Sequence, residues 1–130
     1  MIAIITSYER KRITDRVIDL AIVFEILYSK ENDKTDSINF KLKTRTAKFL
    51  GSNFENRKSI AKTLSVFYGI RSGLVHGGEE KLNTIDMQTV ESASKLLRES
   101  FLLYINKIFA AKSNRTQFDH NSFIEFIDYN

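Results

Sequence analysis

Arg71 and His76 lie five positions apart in a chain with only two histidines, and their types and spacing suit phosphoryl chemistry. An imidazole titrates near neutral pH and can move a proton in general acid–base catalysis, an effect of about 10²–10⁴ in rate. A guanidinium holds a phosphate through two parallel hydrogen bonds or stabilises charge developing on a pentacoordinate phosphorus. Together they fit metal-free cleavage of RNA, where the 2′-hydroxyl is the built-in nucleophile. A second reading stands beside this one: His76 precedes Gly77 and Gly78 and, as a cap at a helix end, would interact with the last carbonyls.

Other chemistries are poorly supplied. With no cysteine there is no thiolate nucleophile, zinc-thiolate site or redox pair, and two histidines do not make a histidine-rich metal site. The chain lacks a P-loop, a dinucleotide glycine fingerprint, a His-Glu-x-x-His pair and a nucleophile elbow. Neither a cofactor nor a metal is implied.

The elements that must position Arg71 and His76 are helices. Proline is absent and only 5 glycines occur in 130 residues, so helix-breaking signals are few and strand-type alternation is weak. This predicts a single all-α domain, an up-and-down antiparallel bundle of four to five helices. Residues 1–12 are expected to be flexible or to order on a partner.

A first helix is predicted from a cap at Thr14 or Asp15 to about Tyr28. Its apolar residues are spread almost all the way round, so it is either central or covered partly by a second subunit. Glu25 falls among them, and a carboxylate placed there needs a cation for structure or for function. A second helix is predicted over 37–50, stopping at Gly51. On it Arg45 shares the face of Ile38, Leu42 and Phe49, and either finds an acceptor inside or extends its head to solvent. Lys41 and Lys48 flank that face.

The third helix is predicted over 56–76, with a stripe of Ile60, Leu64, Phe67, Ile70 and Leu74 that includes Arg71. Ser65, Gly69, Ser72 and His76 form a separate small-residue face. Arg71 and His76 are then about 140° apart, and meet only around a shared cleft or through a loosened last turn at Gly73. A fourth helix over 85–111 is predicted to bury Met87, Val90, Ala93, Leu97, Phe101, Tyr104 and Ile108. A short helix within 118–129 docks back on the bundle, with His120 at its start.

Charge is uneven. Residues 1–65 carry 13 Lys/Arg against 8 Asp/Glu, and between Ser37 and Ser65 seven basic residues face only Glu55. Such a field favours phosphate or nucleic acid, and is equally an ordinary solvated face. The longest apolar run, Val17 to Tyr28, is too short to span a bilayer and is broken by Asp19 and Glu25, so a cytoplasmic protein with no membrane partner is expected.

Arg71-Ser72-Gly73-Leu74-Val75-His76-Gly77-Gly78 resembles the Arg-x4–6-His signature of the HEPN superfamily. Three runs, Asp15 to Leu27, Phe40 to Gly51 and Tyr68 to Gly78, are similar to its Apea-like branch and cover most of residues 15–78. The resemblance implies a homodimer whose Arg-x4–6-His helices meet at a common cleft, and a metal-independent endoribonuclease of the kind found in RNA processing, toxin–antitoxin systems and phage defence. By carry-over Arg71 and His76 are catalytic and Glu25, Ser72 and Arg45 supporting, although many active members have Asn, Asp or His where Ser72 stands. Lys41, Arg45 and Lys48 would gather the RNA backbone. The same resemblance admits a silent module that dimerises or binds RNA or nucleotide, and an antitoxin-like protein partner.

Overall fold

The computed structural model describes residues 7–33, 38–77 and 86–129. These form an all-α bundle of five helices: α1 (Ser7–Tyr28), α2 (Ile38–Leu50), α3 (Phe54–Gly77), α4 (Met87–Ser113) and α5 (His120–Asp128). Among the described residues no helix is long and apolar enough to cross a membrane.

Helix α1 begins well before the expected cap. Glu9 to Arg12 are good helix formers with no proline or glycine to stop the helix, and Thr14 Oγ1 is buried without a hydrogen bond rather than capping anything. Residues 7–12 are therefore helical; residues 1–6 of the segment expected to be flexible lie outside the described residues. Asp86 and Asp119 supply the caps of α4 and α5, accepting hydrogen bonds from the backbone N–H groups of Gln88 and Ser122. Each satisfies an amide that the helix itself leaves open.

The core is formed by Val17, Ala21, Phe24 and Tyr28 of α1, Leu42 of α2, Leu64 and Phe67 of α3, Val90 and Ala93 of α4, and Ile124 of α5. Gly51 turns the chain from α2 into α3. A side chain there would strike the Arg57 stem and come within 2.5 Å of the Ala47 carbonyl oxygen. From this corner α3 returns along α2, with Lys43 Nζ donating to Ser65 Oγ at 3.1 Å, and α4 returns along α3. Helix α1 lies alongside α4 and points the same way, since Arg16 pairs with Glu91 at 2.6 Å and Tyr28 Oη donates to Ser100 Oγ at 2.5 Å. Direction thus alternates from α2 to α4. The nine residues between α1 and α2 can span about 30 Å, enough for α2 to start back beside α1.

Two surfaces depart from the helical-wheel expectation. On α1, Ile22 and Ile26 point outward, with Ile26 67% exposed, so the helix is peripheral rather than central. On α4, Phe101, Ile108 and Met87 are partly exposed rather than core. Because α1 ends at Tyr28, beside Ser100, the part of α4 beyond that point loses its neighbour on one side. On the other, Tyr104 packs edge-on against Phe118 and Phe123.

Gly51→Ala is expected to lower stability by about 1–3 kcal/mol, the usual cost of forcing an added methyl into close-packed atoms. Chemical denaturation of the purified variant would read this as a lower midpoint with an unchanged slope.

Candidate functional site

Arg45 is almost completely buried, and every one of its five N–H groups has an acceptor. Nη1 donates to Asp33 Oδ2 and to the Tyr28 carbonyl, both at 2.7 Å. Nη2 donates to Asp33 Oδ1 at 3.1 Å and to Asp128 Oδ2 at 3.0 Å, and Nε donates to Asp128 Oδ1 at 2.9 Å. Both carboxylates are bound through two parallel hydrogen bonds, Asp128 side-on through Nε and Nη2 and Asp33 end-on through Nη1 and Nη2. Burial opposes the charge on Arg45, but the two carboxylates outweigh it and its pKa is raised. Hydrogen bonds from Arg45 hold the Asp33 carboxyl far below its ordinary 3.8, against the opposing effect of burial.

The expectation that Arg45 gathers an RNA backbone is therefore corrected: it has neither exposure nor a free donor for a phosphate. Lys41 Nζ pairs with the same Asp33 at 3.2 Å, and Lys48 Nζ donates to the Asp128 carbonyl oxygen at 3.1 Å. Reading the sequence missed Asp33, placed in a polar loop, and Asp128, near the end of the chain. The only available signal was the inward face of Arg45, which called for acceptors without saying which.

Arg71 is placed differently. Its Nη2 lies 4.0 Å from Glu25 Oε1, and the two side chains are 35% and 34% exposed. Its Nε is buried and lacks a hydrogen-bond partner. Tyr68 sits beside them, its hydroxyl 3.5 Å from the Ala21 carbonyl oxygen and its pKa raised by burial and by the Glu25 charge. A partly exposed pair at 4.0 Å is weaker than a buried, hydrogen-bonded ion pair. Arg71 keeps donors for another acceptor.

Ser72 and His76 are exposed further along α3. The helix continues through Gly77, so the loosened last turn at Gly73 does not occur, and about 140° still separates Arg71 from His76. The structure brings Glu25 to Arg71, leaves His76 on a neighbouring face, and places Arg45 in a separate cluster. The second histidine, His120, has both ring nitrogens engaged within the bundle: Nε2 donates to the Ser29 carbonyl oxygen at 2.7 Å, and Nδ1 lies 2.9 Å from Tyr104 Oη. Among the described residues no group of three or more His, Cys, Asp or Glu is placed to hold a metal ion.

No protein-family model, curated protein or solved structure matches this chain.

Arg45→Met is expected to cost about 3–5 kcal/mol, because it strands two partly or fully buried carboxylates, whereas Arg71→Ala costs no more than about 1 kcal/mol. Parallel urea melts would show the contrast. The pH dependence follows from Asp33. A carboxyl whose pKa is depressed by folding stabilises the protein above its unfolded value, near 3.8, and that contribution is lost as pH falls below it. Between pH 5 and pH 3 the wild-type melting temperature should therefore fall more steeply than that of Asp33→Asn.

Proposed function

We propose that this chain is a metal-independent endoribonuclease of the HEPN type, acting as a homodimer through Arg71 and His76. The observation that carries the proposal is the contrast between the two inward arginines of α2 and α3. Arg45 has all five donors engaged, while the Arg71 side chain is about one-third exposed, its buried Nε lacks a partner, and its Nη2 comes no closer than 4.0 Å to Glu25. A guanidinium of that kind is available to a phosphate, and Glu25 is near enough to bias its orientation.

In the reaction His76 takes the proton from a ribose 2′-hydroxyl, or supplies one to the departing 5′-oxygen. The 2′-oxygen forms its bond to phosphorus as the bond to the 5′-oxygen breaks, giving a 2′,3′-cyclic phosphate and a 5′-hydroxyl. Arg71 stabilises the extra negative charge on the phosphoryl oxygens between those states. The angle between Arg71 and His76 on an unbroken helix supports a site completed by the same residues of a second copy. Ile22 and Ile26 on α1, with Val66 and Val75 on α3, are exposed apolar residues on the two helices that carry Glu25 and Arg71, suitable for such an interface.

The same angle favours one alternative, a non-catalytic module that dimerises or binds RNA or nucleotide. The two readings separate on activity in a folded protein. Arg71→Ala and His76→Ala are each expected to remain folded dimers and to lose at least about 10²-fold in cleavage of single-stranded RNA. Wild-type cleavage should persist in EDTA and leave cyclic phosphate ends. Full activity in both variants would sink the catalytic assignment, and a dimer that binds RNA without cleaving it would leave the module reading in its place.

A further inference from the structure

At the end of α3 remote from His76, helices α2 to α5 enclose an open groove of about 460 Å³. Its polar lining is Lys48 from α2, Arg57 from α3 and Lys107 from α4, and its apolar lining includes Phe49, Leu103 and Phe126. Among the described residues no carboxylate lines it. Asp128, next to the groove in sequence, has both carboxylate oxygens turned to Arg45, and only its backbone carbonyl meets Lys48.

Among the described residues none of the three cations is paired with a carboxylate, and each is steadied by another contact. Lys48 Nζ is steadied by that one carbonyl at 3.1 Å. Arg57 lies against the bare backbone of Gly51, where a side chain would displace its stem, and its Nε reaches the Gly51 carbonyl oxygen at 3.4 Å. Among the described residues its two terminal nitrogens have no hydrogen-bond partner. Lys107 Nζ lies 5.5 Å above the Phe126 ring, which is still 56% exposed. Three like charges gathered in a concavity repel one another and concentrate a positive field that favours a bound anion. Phe54, on the first turn of α3, and Tyr129, just after α5, add further exposed rings on the same elements.

We infer that this groove binds a segment of single-stranded nucleic acid, with phosphates on Lys48, Arg57 and Lys107 and a base against Phe126. Cations beside an exposed ring are what a single strand can use, because it offers both phosphates and unpaired bases. A duplex presents mainly phosphates and leaves the ring unmatched, and a bare polyanion does the same. The groove and His76 stand at opposite ends of α3, with Arg57 and His76 nineteen residues apart, about 28 Å along the helix. Binding here is therefore distinct from cleavage at Arg71 and His76, and does not require it.

The test uses the full chain carrying His76→Ala, so that no substrate is consumed, and follows the anisotropy of a fluorescein-labelled 12-nucleotide single-stranded RNA. Arg57→Ala and Lys107→Glu are each expected to weaken binding about tenfold and to flatten the dependence of log Kd on log salt by roughly 0.7 per lost phosphate contact. Phe126→Ala should weaken it about tenfold with the salt slope unchanged. A single-stranded DNA of the same length should bind at the same groove and respond to the same substitutions. The inference is overturned if all three variants bind like the parent, or if Phe126→Ala binds like the parent while the charge variants weaken, which would mark the groove as a sensor of bare charge. It is equally overturned if a polyglutamate peptide competes as well as unlabelled RNA, or if AMP competes as well as the oligonucleotide.

Discussion

The bidentate clasp of Arg45 by Asp33 and Asp128 is the interaction on which the rest of the fold depends. It joins the end of α1, through the Tyr28 carbonyl, to the connection after α1, to α2 and to the last residue of α5. A buried guanidinium with one carboxylate would leave donors stranded in a low-dielectric interior. Two bidentate carboxylates, one side-on and one end-on, and a carbonyl match its five donors one for one, so the desolvation cost is offset by complete hydrogen bonding. The arrangement tolerates little movement, and it ties the end of α1, the middle of α2 and the end of α5 to one another.

With that end of α2 fixed, the neighbouring contacts fall into place around it. Tyr28, whose carbonyl Arg45 takes, sends its hydroxyl to Ser100, which donates in turn to the Leu96 carbonyl. His120 ties the start of α5 to Ser29 and Tyr104. Polar groups at this end are therefore engaged with one another, and the Asp128 carboxylate, next to the groove in sequence, is committed to Arg45. At the other end of α3 the polar groups are fewer and less satisfied, and Glu25, Tyr68 and Arg71 make loose contacts near an exposed Ser72 and His76. The separation follows a general pattern: a rigid, fully paired cluster holds the scaffold, and side chains with spare donors lie where a ligand can reach them.

The sequence was enough to give the helical class, the five helices to within a few residues at most ends, and the stripe Ile60, Leu64, Phe67 and Leu74 that faces the core. These rest on local physics: a period of 3.6, a glycine at the α2–α3 corner, and the absence of proline. It also pointed to Glu25, Arg45 and Arg71 as charges on inward faces, since a charge on an apolar stripe is visible in one helix alone. What it could not give was the partner of each. Asp33, Arg45 and Asp128 share no spacing, and no periodicity relates a loop, a helix and the chain's end.

Tertiary structure made the remaining decisions, because they depend on where one helix stops relative to another. Phe101 and Ile108 continue the apolar period of α4 perfectly well, yet α1 ends at Tyr28 and leaves that stretch without its expected cover. Arg45 and Arg71 look alike on their helical wheels, each an arginine among apolar neighbours. Two carboxylates arriving from distant segments saturated the first, while the second received one carboxylate at 4.0 Å and kept its donors. Residue type and period determined which side chains could do chemistry; long-range proximity alone determined which of them was left free to do it.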